Sequence, residues 1–408
     1  MEQVWRPDPL TRLYVYSMCL LVYAVAEVSW LMSVPRQPLY ILVSVLAILK
    51  MTQKGVSFSK GRAIWMLVWF IYTMIAAVVL KGNIFSIFYY LLLFFSMSTV
   101  ALLSVNEMKY LLKAITNCFV FILVVSIFGW ILYLIGFPLS YTGPFYHSNG
   151  YHVYYDYYFF TVQAGMGGDY ARFSSVFLEP GQMATPCVFL FHLNTRNDRI
   201  FRFKNLIMLT GIIMSFSLIA YGLLLLSIVA NLLLRSKGRY RIPIAIATLS
   251  ILIGVTWYFA TNENSAFYVR IISRLEYDEE SNTISGYNRT GDNFEIHYAN
   301  LMSSSDKYFG ARHELTQGDN WTVQASGYKK FIVNHGIVGF ALVILLLVIL
   351  LRNNWCFASV VFFTIVLLAF IVRDLLTSPL WLTIAIIGMY IIGSEVEKKE
   401  TPTQIQIT

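Results

Sequence analysis

The chain has 408 residues, 57% hydrophobic and 13% charged, with a formal net charge of +8 at pH 7. A soluble domain carries about 25% charged residues. Long apolar runs recur from end to end here, which excludes a soluble enzyme with a single anchor and predicts an all-α polytopic membrane protein whose bundle is one domain, residues 1–408. Most basic residues flank apolar spans, as orientation by Lys and Arg requires, so the positive charge argues for membrane orientation and against nucleic acid as a partner.

In chain order, Met1 to Pro9 has no apolar h-region and no small-residue cleavage site, so the first helix is expected to start insertion. About twelve transmembrane helices follow, at 13–32, 37–51, 63–80, 83–103, 110–137, 174–194, 203–218, 220–235, 242–261, 332–351, 354–372 and 375–393. Asn205 to Leu234 is uninterrupted by charge, and as one helix it would run about 45 Å, against a hydrocarbon core of about 30 Å. Arg196, Arg199, Arg202 and Lys204 precede this run, and Arg235, Lys237, Arg239 and Arg241 follow it. Both clusters belong on the cytoplasmic side, so the run should turn back near Ser215 to Gly222.

With both termini inside, 19 of the 30 Lys and Arg fall on the cytoplasmic side and 11 outside. Seven of the outer ones sit in a long segment, 262–331, and long loops largely escape the rule. The short outer loops carry only Arg36, Lys81 and Arg373. Two outer segments, 138–173 and 262–331, exceed simple connections, and such loops often carry function. The tail, 394–408, is polar and read as a disordered cytoplasmic extension. Cys19, Cys118, Cys187 and Cys356 all fall in apolar spans with no CxxC pair, so they read as small core residues rather than a disulfide or metal framework.

The first outer segment is dense in aromatics, Tyr154 and Tyr157 among them, with His147 and His152. Tyr offers an apolar face and a polar tip, which suits the C–H faces and hydroxyl edges of sugars. The same enrichment marks an aromatic belt at the headgroup level, and both readings stand. Where the chain re-enters an apolar run it reads Arg172-Phe-Ser-Ser-Val-Phe-Leu-Glu-Pro-Gly-Gln182. A charge or helix breaker placed there more often lines an enclosed site than faces lipid. A carboxylate at low dielectric holds its proton more tightly unless paired, so Glu179 is a candidate general base and Arg172 a candidate anion partner. The competing reading is a structural Glu179–Arg172 pair closing a helix.

In the second outer segment, Phe267, Ile271 and Leu275 recur at helical spacing, with Arg270 and Arg274 on an adjacent face. Their guanidinium forks suit phosphate oxygens, and lipid headgroups would serve them equally. Asp278-Glu-Glu280 is read as a solvated cluster and not as a metal motif, and the acceptor patterns Asn288-Arg-Thr290 and Asn320-Trp-Thr322 as chance matches. His313 and His335 are further candidates for proton transfer.

Three stretches together resemble the Wzy-type O-antigen polymerase and O-antigen ligase superfamily: Arg172 to Gln182, with Glu-Pro-Gly opening a helix; Ser215-Phe-Ser-Leu-Ile-Ala-Tyr-Gly222, similar to a tight outer turn; and Tyr287-Asn-Arg-Thr290 through Tyr308-Phe-Gly310, then Tyr328 to Gly339. With the order of spans and loops the resemblance covers most of residues 83–393. It implies a C-type glycosyltransferase-like bundle in a bacterial inner membrane, with its active site facing the periplasm. It also implies an undecaprenyl-diphosphate-linked oligosaccharide as substrate, a chain-length regulator as a candidate partner, and no cofactor or metal. On motif position it assigns the diphosphate to Arg172 and Arg289, with Tyr287 in the substrate-binding set. Two features depart from the family pattern. The Arg-x10-Gly loop spacing of some polymerases is missing, since Arg274 to Gly286 is one residue too long, and neither His313 nor His335 clearly matches the ligase's loop histidine.

The expected activity is therefore polymerisation of lipid-linked repeat units of O-antigen, capsule or exopolysaccharide. One alternative is a ligase transferring glycan to lipid A core. The other is a non-catalytic transporter, which would more often show inverted repeats and mid-span charge; here only Glu27 interrupts the span interiors.

Overall fold

The structure is a computed structural model that describes residues 5–26, 28–31, 33–54, 59–80, 84–146, 153–163, 172–197, 200–235, 243, 250, 268, 277–278, 283–284, 292–311 and 327–400. The helices delineated among them are α1 (Pro9–Val25), α2 (Arg36–Lys54), α3 (Lys60–Leu80), α4 (Ile84–Leu102), α5 (Val105–Leu134), α6 (Pro180–Asn197), α7 (Phe203–Met214), α8 (Leu218–Arg235), α9 (Asp292–Ser303), α10 (Gly327–Asn353), α11 (Phe357–Val372) and α12 (Pro379–Glu400). The fold is mostly helical and membrane-protein-like. Among the described residues three helical stretches are long and apolar enough to cross a bilayer, Lys60–Val78, Val105–Leu134 and Gly327–Asn353, and shorter apolar helices accompany them. The expected span at 242–261 lies almost wholly outside the described residues, as does Glu27.

Local chemistry sets the helix starts. Asp8 caps α1 by accepting the Thr11 amide at 2.6 Å, with Pro9 in the first turn. Ser104 and Glu107 form a reciprocal capping box on α5. α12 is the hub: it packs against α1, α4, α5, α6, α10 and α11, and Leu380 to Ile392 is buried throughout. A helix apolar on every face is stable only when enclosed in this way. The outer helices instead expose Leu13, Leu20, Leu49, Leu67, Phe121 and Phe128 in an apolar belt.

Helix ends assort onto two faces. On one, Lys50 Nζ meets Glu107 Oε1 at 2.7 Å and Thr11 Oγ1 at 2.6 Å, joining α1, α2 and α5 in a buried cluster. Beside it Glu395 takes Lys109 at 3.5 Å and Arg196 at 3.8 Å. These pairs explain a correction: the chain past Ser394 continues as helix to Glu400 instead of beginning a disordered tail, and 401–408 lie outside the described residues.

The opposite face holds a second correction to the all-α expectation. Strands β1 (Thr142–Tyr146), β2 (Val153–Asp156) and β3 (Thr161–Gln163) form an antiparallel sheet in that order, and Tyr277–Asp278 pairs with Thr283–Ile284. In β2–β3, Tyr155 pairs with Val162 and Asp156 with Thr161. Thr161 then clamps the following segment: its amide donates to Ser175 O at 2.9 Å and its hydroxyl to Phe177 O at 2.7 Å. The Asn205 to Leu234 run breaks as expected, at Ser215–Ser217, and both halves pack on α6.

Candidate functional site

Residues 172–179 dip into the bundle. Phe173, Val176, Phe177 and Leu178 are buried, and Ser175 adopts a positive φ of 56°. The Ser175 hydroxyl lies 2.7 Å from Ser126 on α5. Anchored by this core contact, Glu179 emerges at the start of α6, where its carbonyl accepts the Gln182 amide at 3.0 Å. Pro180 occupies the first turn, where a missing N–H costs nothing, and a carboxylate beside a helix N-terminus is favoured by the dipole.

The competing reading, a structural Glu179–Arg172 pair, is not the ion pair that forms here. Glu179 Oε2 pairs with Arg373 Nη1 at 2.5 Å, a residue 194 positions away at the end of α11. Arg172 turns elsewhere: it donates to Ser215 O at 3.3 Å and Phe216 O at 2.7 Å, where α7 ends. A cation there satisfies end-of-helix carbonyls and complements the dipole. Phe216 has a positive φ of 46°, so Arg172 holds a constrained turn as well.

Arg373 is the residue that sequence reasoning missed, having counted it only as an outer-loop charge. Two glycines make room for it. A β-carbon on Gly181 would overlap its guanidinium, and one on Gly327 would overlap its backbone. Its Nε is buried and has no hydrogen-bond partner among the described residues. The signal available was a lone Arg-Asp pair between two long apolar runs. Asp374 is held by Lys330 at 3.4 Å, and Glu295 of α9 by Lys329 at 2.5 Å, which ties the second outer segment to this face.

A cavity of about 220 Å³ opens here, lined by Tyr154, Gln163, Arg172, Glu179, Gly181 and Arg373. That exceeds the ~150 Å³ that holds a benzene and is enough for one sugar ring. The Glu179 side chain is 42% exposed and that of Arg373 17%, so both line the cavity and the carboxylate is the more open of the two. Solvent screens such a pair to about 1 kcal/mol or less, and its value lies in orientation rather than stability.

The other expected residues fall as follows. Tyr154 lines the cavity but its side chain is in the core. Tyr157 is stacked on Phe160 at 5.0 Å, within an aromatic cluster with Tyr133 and Tyr141, and burial raises its pKa, helped by its tyrosine neighbours. Tyr154 is thereby a packing residue, while Tyr157 stays half-exposed. His335 stands apart from the cavity, stacked on Phe331 at 4.4 Å with Nδ1 3.3 Å from the Tyr72 hydroxyl. It precedes a kink at Gly336, whose φ of 69° suits glycine and whose α-carbon faces the Tyr308 carbonyl too closely for a β-carbon. The Ala311 amide takes Val333 O there at 2.8 Å. Arg270, Arg274, Tyr287, Arg289 and His313 lie outside the described residues. Among the described residues no group of His, Cys, Asp and Glu is arranged to hold a metal.

Comparison with family models, with curated proteins and with solved structures finds no match to this chain.

Proposed function

We propose that the protein is a polysaccharide repeat-unit polymerase of the Wzy type, crossing a bacterial inner membrane about twelve times with the Glu179–Arg373 face in the periplasm. The observation that carries this reading is the charged pair lining a sugar-sized cavity. The sequence resemblance supplies the substrate class, an undecaprenyl-diphosphate-linked oligosaccharide.

In this mechanism a hydroxyl of one lipid-linked repeat attacks the anomeric carbon of another chain. The new C–O bond forms as the bond from that carbon to the diphosphate oxygen breaks, and the hydroxyl proton passes to Glu179. Arg373 orients the carboxylate and stabilises the charge growing on the leaving diphosphate, as arranged cations do. Arg172 holds the α7–α8 turn beside the cavity. The sequence resemblance assigns Arg289 to the diphosphate as well.

The test is a gel of surface glycans from a deletion strain. A single repeat attached to core supports a polymerase. Bare core with long chains left on the lipid carrier would instead identify a ligase, and an unchanged pattern would remove both.

A further inference from the structure

An apolar groove of about 440 Å³ runs between α1 and α5, lined by Tyr16, Leu20, Trp30, Cys118, Phe121 and Ile122 among others. Tyr16, Leu20, Trp30 and Phe121 are all exposed, so the groove opens outward in the apolar belt. α5 is one of the helices long enough to cross a bilayer, so the medium facing the groove is hydrocarbon. No charged side chain lines it. Its floor is closed by Tyr23, whose hydroxyl donates to Ile115 O at 2.7 Å, and by the Cys19 and Cys118 thiols, 3.5 Å apart.

One rim of the groove is tied to the segments that flank the candidate site. The Trp30 indole donates to the Tyr158 carbonyl, which ties the groove's rim to the loop between β2 and β3. The Ser29 amide donates to Val176 O at 2.8 Å, three residues before Glu179. A chain lying in the groove therefore ends beside the buried segment that leads to Glu179. With ~150 Å³ sufficient for a benzene, the volume takes roughly three groups of that size, or about three five-carbon isoprene units.

We infer that this groove holds the first isoprene units of the polyprenyl chain of the lipid-linked donor, on the side of α1 and α5. This rests on the donor being a polyprenyl diphosphate, as the proposed function has it. Trp30, an amphipathic ring with its N–H satisfied, marks the depth at which chain gives way to diphosphate.

The test uses full-length protein in nanodiscs of phosphatidylethanolamine and phosphatidylglycerol, irradiated with a diazirine-bearing polyprenyl diphosphate, with adducts mapped by mass spectrometry. Adducts are expected on α1 and α5 peptides. Unlabelled polyprenyl diphosphate should displace them, and an equal excess of phosphatidylglycerol should not. Leu20→Trp, which fills the groove, should lose them, while Ile41→Trp on the exposed side of α2 should keep them. Adducts on other helices, or equal displacement by phosphatidylglycerol, overturn the assignment, the latter by showing an ordinary boundary-lipid site. Chain extension with adducts elsewhere overturns the groove and leaves the polymerase reading standing. Groove adducts without any chain extension support the groove and count against the polymerase.

Discussion

Arg373 lies against Gly181 with its guanidinium in the space that a β-carbon on Gly181 would fill. The same guanidinium holds Glu179, two residues earlier, at 2.5 Å. A methyl group at 181 must therefore push the arginine off the carboxylate. Gly181→Ala is expected to fold normally, since Ala suits a helix better than Gly, while glycan chain extension falls sharply. Full-length ladders from a well-expressed Gly181→Ala protein would show that the close approach has no functional role.

Glu179→Gln keeps shape and hydrogen bonding but cannot accept a proton as a carboxylate does. Loss of a general base costs about 10²–10⁴-fold in rate, so chain extension should be abolished on a gel at unchanged protein level. Arg373→Lys retains charge but not the planar fork, and should weaken extension strongly as well. If Glu179 serves only to hold Arg373, the Gln variant loses thermal stability instead and retains its ladder.

Lys50 and Glu107 form a buried pair, with side chains 7% and 3% exposed. Breaking a buried pair at one end is strongly destabilising. Lys50→Met should therefore lower the melting temperature markedly. Lys50→Met combined with Glu107→Gln leaves no charge behind and keeps an acceptor for the Ser104 amide, which Glu107 Oε2 now takes at 2.9 Å. The double variant should recover most of the loss. Additive losses in thermal melts would mean that the two residues act independently.

Burial raises the pKa of Asp156, against the Tyr158 amide, which donates to Oδ1 at 2.8 Å and lowers it. A folded-state value above the unfolded one means that folding disfavours the ionised form. Below pH about 4 both states are protonated and there is no penalty; as pH rises through the raised value the penalty enters in full. Asp156→Asn should thus stabilise the protein at pH 7, with the gain shrinking toward zero as pH falls to about 4. A gain that grows on acidification would contradict this.

The two faces give a labelling experiment. Ser303 at the end of α9 and Phe201 before α7 are exposed on opposite sides. A cysteine at Ser303 should react with a membrane-impermeant thiol reagent in intact spheroplasts, and one at Phe201 only after lysis. The reverse pattern would place the Glu179–Arg373 cavity in the cytoplasm and remove a periplasmic polymerase.

The sequence by itself determined the mostly helical, membrane-protein-like character, the break at Ser215–Ser217 and the helix opening at Glu179-Pro180, because hydropathy, capping and proline act within a turn or two of the residue concerned. Tertiary structure alone decided the partners. Arg172 and Glu179 are close in the chain, yet Arg172 goes to the open carbonyls ending α7 and Glu179 to Arg373. Which charge meets which depends on the loops that packing around α12 brings together, and no local pattern encodes that. The three-stranded sheet was hidden for a related reason. Its strands are short, and their pairing is set by the segment that Thr161 grips, not by any alternation along the chain.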